Sequence, residues 1–506
     1  MADKIRILST SDVHGYIYPY SYADMKETNE GLAKLKTLID SLRNENTLII
    51  DNGDMIEGSP FTFYHYSKKT NEVCPLSLAM KEIGYDYVNL GNHDFNYGKK
   101  PLDLHINTTG AKLLCANVLY EEKPVGPDYV IHTFNNKKLA LFALTTHYIP
   151  NWEEPKHIAG YSFLNAFDTA KRIVEEIKEK ENPDYIVCVY HGGFERDPET
   201  GEPCEEDTGE NQGYRMIKEL QDIDVLISGH QHRVCSGKLF NTYYTHPFQH
   251  GAYLSCVEID TDTNEISANI IEPSLPADKK IIELCQKEED EVQQWLDTPL
   301  GHTSIDMRIL DDYDVRFNKS QLATFINIVQ KDVTGSELSG AAIFLNGCGF
   351  MGDITMRSLV STYFFPNTLF VKKVSGKALK EYLERCADFW SIKDDKIIIN
   401  PIYDFPTPAY HNYDMVDGIE YTIKVSNPYG SKIVELKRNG QDVKDDDEFT
   451  LSINSYRAAG SGGFDMIKNS PTVKEIQTNV VELIAEYIMK HKTIEFEPVN
   501  NIKIIY

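Results

Sequence analysis

In the first half of the chain, short apolar runs alternate with stretches whose apolar positions recur at helical spacing. "KIRILST" (4–10), "TLIIDNG" (47–53), "YVNLGNH" (87–93), "KLALFALT" (138–145), "DYIVCVYHG" (184–192) and "VLISGHQ" (225–231) are nearly continuous apolar runs, as strands covered on both faces must be. "GLAKLKTLIDSLRNE" (31–45) and "AFDTAKRIVEEIKEKE" (166–181) instead carry an apolar stripe of period 3.6 and predict helices. Strands alternating with helices predict an α/β layered domain.

A proline-bearing break then leads into "SLPADKKIIELCQKEEDEVQQWLD" (274–297), which reads as a charged amphipathic helix joining two domains. Beyond it, "SQLATFINIVQKDV", "AAIFLNG", "TLFVKKVSG", "KALKEYLERCADFW", "GIEYTIKV", "KIVELKRNG" and "EFTLSINS" mix helices and strands into a second α/β unit. "VKEIQTNVVELIAEYIMKHK" (473–492) reads as its closing helix. The expected division is residues 1–275, a linker helix region at 276–315, and residues 316–506. Neither an internal repeat nor a low-complexity tract interrupts this pattern.

Composition narrows the function classes. At 506 residues, 41% hydrophobic and 25% charged, the chain has enough apolar material for two or three cores. Its formal charge of −26 disfavours broad contact with a nucleic-acid backbone, although a small anion can still enter a local cationic site. No apolar stretch reaches the roughly 18 residues of a membrane span. Nine cysteines without a C-x-x-C pair read as reduced thiols, and the first strand begins too early to leave room for a signal peptide. Both point to the cytoplasm.

Chemistry gathers at the ends of the apolar runs. The first leads into Asp12 and His14, two residues apart and so on one side of an extended segment. The second stops at Asp54, the third at Asn92, His93 and Asp94, the fifth at His191, and the sixth at His230 and His232. Ligands of layered α/β sheets bind beyond the carboxyl ends of strands, so these groups can converge from distant parts of the chain. Carboxylates and imidazoles without a thiolate suit divalent Mn, Zn, Co or Fe. Seven candidate ligands exceed what one catalytic ion takes, and Asp54 could bridge two ions.

The order D-x-H, G-D, G-N-H-D, a lone histidine in "YHGG" and G-H-x-H is similar to that of the calcineurin-like metallophosphoesterases over roughly the first 235 residues. The resemblance implies a four-layer α/β/β/α domain. It also implies one metal held by Asp12, His14, Asp54 and His232, and a second held by Asp54, Asn92, His191 and His230. His93 would meet the phosphoryl oxygens or protonate the leaving group. In many 5'-nucleotidases of this family an aspartate three residues on orients that histidine; here Asn96 stands there. An amide can accept from an imidazole N–H but cannot stabilise an imidazolium as a carboxylate does.

The second half resembles the 5'-nucleotidase C-terminal domain in "FFPNTLFVKKVSGKALKEYLE" (364–384) and "NSYRAAGSGGFDMI" (454–467). That domain holds a nucleoside base between two aromatic rings. By motif position these fall on Tyr413 and Phe464, with His411 as the alternative to Tyr413 and with Asn346 and Arg457 as further substrate contacts. Glycines beside Phe464 would let the backbone approach a ligand. Where 5'-nucleotidases carry a phosphate-binding arginine, this chain has Met351 in "FLNGCGFMGDIT", and a thioether cannot grip phosphate bidentately.

"DNGDMIEGSP", "GNHDFNYG", "FFPNTL", "YDMVDG" and "NSYRAAG" resemble a sister group more closely, the 2',3'-cyclic-nucleotide 2'-phosphodiesterase/3'-nucleotidases. The expected activity is therefore a dinuclear-metal hydrolysis of nucleotides. A broad 5'-nucleotidase or nucleotide-sugar hydrolase, or a metal-dependent nucleotide sensor without turnover, are the alternatives. The expected partner is a nucleotide, with neither a nucleic-acid polymer nor a membrane.

Overall fold

The computed structural model of the chain describes residues 4–151, 153–203, 208–363, 365, 367–404, 408–476 and 478–506. Two compact units divide between Val292 and Gln293, inside the helix Lys279–Leu296. Among the described residues, no helix is long and apolar enough to cross a membrane.

The first unit is built on two six-stranded sheets. One runs in the order Ile266–Ile271, Leu254–Asp260, Lys4–Thr10, Thr47–Asp51, Tyr87–Val88, Lys112–Leu113. The other runs Val234–Leu239, Thr242–Pro247, Val225–Ser228, Tyr185–His191, Lys137–Thr145, Val130–Phe134. Alternate residues of each strand face the opposite sheet: Ile5, Ile7, Leu48 and Ile50 pack in one core with Leu139, Leu141, Val187, Val189, Val225 and Ile227. The intervening residues Phe142, Leu144, Cys188, Tyr190 and Leu226 pack instead on the helix Ala166–Lys180. Asn165 caps that helix by accepting from the Asp168 N–H. The helices that connect successive parallel strands of the first sheet lie on its free face, since the second sheet occupies the other. The result is the four-layer α/β/β/α arrangement.

All six apolar runs of the first half are strands. Lys4–Thr10, Thr47–Asp51 and Tyr87–Val88 are mutually parallel, as are Lys137–Thr145, Tyr185–His191 and Val225–Ser228. The charged helix Lys279–Leu296 is tied to the first unit along much of its length. Tyr22 donates to Glu289 at 2.9 Å, the Tyr18 hydroxyl donates to the Ile282 carbonyl at 3.2 Å, and His65 pairs with Glu288 at 2.6 Å.

The second unit centres on a mixed five-stranded sheet in the order Asp414–Asp417, Leu338–Ala342, Glu448–Asn454, Leu369–Ser375, Thr472–Ile476. The helices Gln321–Thr334, Gly376–Ala387 and Val480–His491 accompany it. The stretch 473–492 departs from the helix its spacing predicts. Its beginning is the edge strand Thr472–Ile476, paired antiparallel with Leu369–Ser375, and the helix starts only after Asn479. An exposed edge strand buries neither face, so it lacks the apolar signature of a central one. The strand expected in 341–347 lies earlier, at Leu338–Ala342, because pairing with Asp414–Asp417 ends at Ala342.

Candidate active site

In the first unit the loops after the parallel strands carry the candidate residues, and their backbone is unusual. Asp12, His14, Asp54, His230 and His232 all have positive φ, between 50° and 73°. Side-chain-bearing residues rarely adopt this conformation, and five in one place mark a site where side-chain direction outweighs backbone comfort. The motif glycines make room for it. A side chain at Gly91 would collide with the Asp54 carboxylate, and one at Gly229 would collide with Ser11 and approach Asp12. Asp94 anchors the floor: its carboxylate accepts the N–H groups of Asp54 at 2.9 Å, Met55 at 3.0 Å and Gly91 at 2.8 Å.

Two of the histidines are oriented by backbone carbonyls. His14 Nδ1 donates to the Glu57 carbonyl at 2.7 Å, and His191 Nδ1 donates to the Asn52 carbonyl at 2.8 Å. Each therefore turns its Nε2 toward the site, the usual way a protein orients the ring of a metal ligand. His14 Nε2 lies 3.1 Å from His232 Nε2, a separation two nitrogens have when each is about 2.1 Å from a shared ion. His232 Nε2 is 3.5 Å from Asp12. His191 Nε2 is 3.2 Å from both Asp54 Oδ2 and Asn92 Oδ1, and 4.0 Å from Asp12. Two convergent groups result, Asp12–His14–His232 and Asp54–His191–His230. All seven candidate ligands thus meet at one end of the unit, and the donor set fits two divalent ions.

The electrostatics agree with that fit. Burial would raise Asp12 and Asp54, but the facing imidazoles, His191 foremost, hold both carboxyls below the usual range. Burial would lower His191, yet Asp54 and Asp12 raise it to about 10. His14, where burial dominates, is pushed down to about 4. Buried carboxylates facing imidazoles form a pocket of negative charge that a divalent cation can neutralise in place of protons.

His93 borders this cluster, its ring 5.4 Å from that of His14 and its side chain 26% exposed. Its N–H donates to Asp54 at 2.7 Å, and its Nδ1 is 2.7 Å from Asn96 Oδ1. Asn96 therefore holds the ring as an amide acceptor. Sequence reasoning passed over three carboxylates nearby. Glu57 lies 3.1 Å from His93 Nδ1, Glu153 accepts from the Asn96 amide at 2.6 Å, and Glu210 is 2.7 Å from His230 Nε2. Burial would lower His93, but Glu57 and Asp54 raise it to about 9, while burial pushes Glu57 up to about 7.

A third convergent group, His65–Cys74–Glu288, is of another kind. Both imidazole nitrogens are engaged, with Glu288 at 2.6 Å and the Glu72 carbonyl at 3.2 Å, and the Lys69 ammonium sits 3.3 Å from the other Glu288 oxygen. It is a polar staple between helices.

In the second unit the motif stretches also share one end of a sheet. Ala342 pairs with Asp414, and Leu369 pairs with Asn454. The segments 343–350, 367–368, 410–413 and 454–464 therefore meet there, and Phe364 and Pro366 of the "FFPNTL" stretch lie outside the described residues.

What meets there differs from the expectation. Tyr413 is fully buried, stacked on Phe389 at 5.0 Å and edge-on to Trp390 at 5.5 Å. Phe464 is equally buried, with the Arg457 guanidinium 3.7 Å above its ring and Tyr382 at 5.5 Å. Neither presents a face to a base, because both complete the unit's core. The glycines beside Phe464 admit the protein's own side chains: a residue at Gly462 would strike Asn412, and one at Gly463 would press on Arg385.

Arg457 is likewise occupied. It pairs with Asp414 at 2.8 Å and donates to the carbonyls of Ser461 at 2.7 Å and His411 at 2.7 Å and to Asn412 Oδ1 at 3.2 Å. It stitches two segments together and has no hydrogens left for substrate. His411 remains half-buried beside Tyr456, ring to ring 5.5 Å, and Asn346 is exposed at a φ of 65°. Met351 is 50% exposed.

Comparison with known proteins follows this division. A family model described as calcineurin-like phosphoesterase matches residues 5–234, and one described as 5'-nucleotidase, C-terminal domain matches residues 299–469. A 2',3'-cyclic-nucleotide 2'-phosphodiesterase/3'-nucleotidase of Salmonella typhimurium is 28% identical over 90% of this chain and 81% of its own length. A 5'-nucleotidase of Vibrio vulnificus is 24% identical over 97% of this chain and 91% of its own. The solved structure of a Staphylococcus aureus protein described as a 5'-nucleotidase, in complex with α-ketoglutarate, is 30% identical and superposes with a TM-score of 0.93. That superposition covers 99% of this chain and all of the other. A convergent carboxylate–imidazole centre on paired sheets and a second unit of this type thus place the chain among the calcineurin-like phosphoesterases of the 5'-nucleotidase family, hydrolases that act on phosphate esters.

Proposed function

We propose that this chain hydrolyses 2',3'-cyclic nucleotides and 3'-nucleotides. The observation that carries the substrate choice is Met351, half exposed at the position where the resembled 5'-nucleotidases place a phosphate-gripping arginine. The naming of the Salmonella relative, similar over most of both chains, supports the same choice.

Asp12, His14, Asp54 and His232 would hold one divalent ion, and Asp54, Asn92, His191 and His230 the other. Ions held there supply a more acidic water as nucleophile and positive charge for the phosphoryl oxygens. This chain's own residues do the rest. The Asn52 and Glu57 carbonyls fix two imidazole tautomers, Asp94 fixes the loop beneath Asp54, and His93 presents Nε2 for proton transfer to the leaving oxygen. In the second unit, His411, Tyr456 and Asn346 are the accessible groups for nucleoside recognition.

The 30% identity with the Staphylococcus aureus protein described as a 5'-nucleotidase favours a second reading, a broad 5'-nucleotidase. Steady-state assays with Mn²⁺ on 2',3'-cAMP, 3'-AMP, 5'-AMP and UDP-glucose separate the two. A kcat/KM for 5'-AMP well above the others overturns the first reading. We also place the protein in a reducing compartment, since the eight described cysteines are all free and six of them are buried. Thiol titration of protein taken directly from its source tests this.

A further inference from the structure

We propose that Glu57 positions His93 for proton transfer, supplying the carboxylate that residue 96 lacks. The proposal rests on the reading of His93 as the proton donor.

Glu57 lies in the loop after the strand Thr47–Asp51, and its side chain is 5% exposed. The His93 Nδ1–H donates to Asn96 Oδ1 at 2.7 Å, and the Glu57 Oε2 lies beside the same nitrogen at 3.1 Å as its ion-pair partner. The Asn96 amide is itself locked. Its nitrogen donates to Glu153 Oε2 at 2.6 Å, so its oxygen must face the ring. Glu153 is held in turn, its other oxygen accepting from His157 Nδ1 and from the Glu154 N–H, each at 2.8 Å. With Nδ1 enclosed by acceptors, the hydrogen stays on that nitrogen and Nε2 is left to face the site.

Of these two neighbours only Glu57 is a carboxylate, and a carboxylate beside the ring can offset the charge of an imidazolium as the Asn96 amide cannot. The Glu57 backbone carbonyl also fixes His14, so one residue sets the direction of two imidazoles, one through its main chain and one through its side chain. A substitution of its side chain keeps the first role and removes the second.

The test uses the full-length, metal-loaded protein and two esters: 3'-AMP, whose alkoxide must be protonated to leave, and bis-p-nitrophenyl phosphate, whose phenolate leaves without a proton. Glu57→Gln lowers kcat on 3'-AMP by about 10–100-fold, the usual cost of losing an outer-shell partner, with KM unchanged and a smaller loss on the aryl ester. Adding Asn96→Asp places a carboxylate on the same Nδ1 and restores at least about tenfold of the loss. Metal content by mass spectrometry and the thermal midpoint stay at the parent values in both variants.

Equal losses on both esters, no recovery in the double variant, or loss of metal from Glu57→Gln overturns the proposal. His93→Ala serves as the separate control. An equal loss there on both esters refutes His93 as donor. A selective loss there without one in Glu57→Gln refutes Glu57 alone.

Discussion

The strand ends of the first unit and those of the second were both marked by motifs, yet the marked side chains behave in opposite ways. In the first unit they turn outward from the cores to a common point, at the cost of positive φ in five residues, and their spare nitrogens are tied to carbonyls so that the working atoms stay free. In the second unit Tyr413 and Phe464 turn inward and Arg457 spends its hydrogens on the protein. A carboxylate or imidazole at the end of an apolar strand is expensive unless something uses it. An aromatic ring is what a core needs anyway, so its presence in a motif does not tell ligand contact from packing.

Asp54→Ala gives the largest effect. It removes the carboxylate that faces His191 at 3.2 Å and that both proposed ions would share, and turnover falls by at least about 10³-fold, more than the loss of a typical single oxyanion donor. Bound metal falls below the parent's, as read by mass spectrometry, with little change in the unfolding midpoint of the second unit. Retention of both turnover and metal would break the comparison at its stronger end.

Arg457→Ala shows the contrast. Removing one partner of a buried ion pair costs about 3–5 kcal/mol, here Arg457 with Asp414, both nearly inaccessible. Urea unfolding of the second unit shifts accordingly, while the metal content of the first is unchanged. If stability holds and KM for nucleotides rises instead, Arg457 is a substrate contact and the inward reading of this cluster fails.

Phe464→Leu sharpens the same point with a variant that leaves most of the core volume filled. It removes the ring beneath Arg457 and costs about 1–3 kcal/mol, so the protein still folds and its KM for 3'-AMP stays at the parent value. A base-stacking ring would show about 1–3 kcal/mol of lost binding instead. Phe464→Ala, by comparison, leaves a cavity and costs about 3–5 kcal/mol in stability.

These contrasts explain what the sequence made legible. The layered sheets could be read because central strands must be apolar on both faces, and the convergence of the candidate ligands because Asp12, His14, Asp54, Asn92, His191, His230 and His232 each follow or close such a strand. The edge strand Thr472–Ile476 was hidden by its own exposure. Glu57 was hidden by distance: its partner His93 lies 36 positions on, and the available sign was a second acidic residue in "DMIEGSP" that a solvated turn would carry equally well. The surroundings of Arg457 and Phe464 could not be read from the sequence, because their partners, Asp414 and each other, are set by the pairing of strands across the sheet.

The smallest expected effect is the one that locates the base. His411 is half-buried at the sheet end where the four motif segments meet, with Tyr456 beside it. Its carbonyl, not its ring, accepts from Arg457, so His411→Ala keeps that anchor and shifts the unfolding free energy by no more than about 0.5 kcal/mol. If the ring stacks on the nucleoside, KM for 3'-AMP and 2',3'-cAMP rises about tenfold, the lower part of the stacking range, with kcat unchanged because stacking is felt equally in ground and transition states. Bis-p-nitrophenyl phosphate, which carries no base, is turned over as by the parent. Tyr456→Ala measured beside it shows whether the two rings act as one surface. A tenfold rise on the base-free ester as well assigns His411 to the fold and moves the search for the base contact to Asn346, exposed on the loop after the strand Leu338–Ala342.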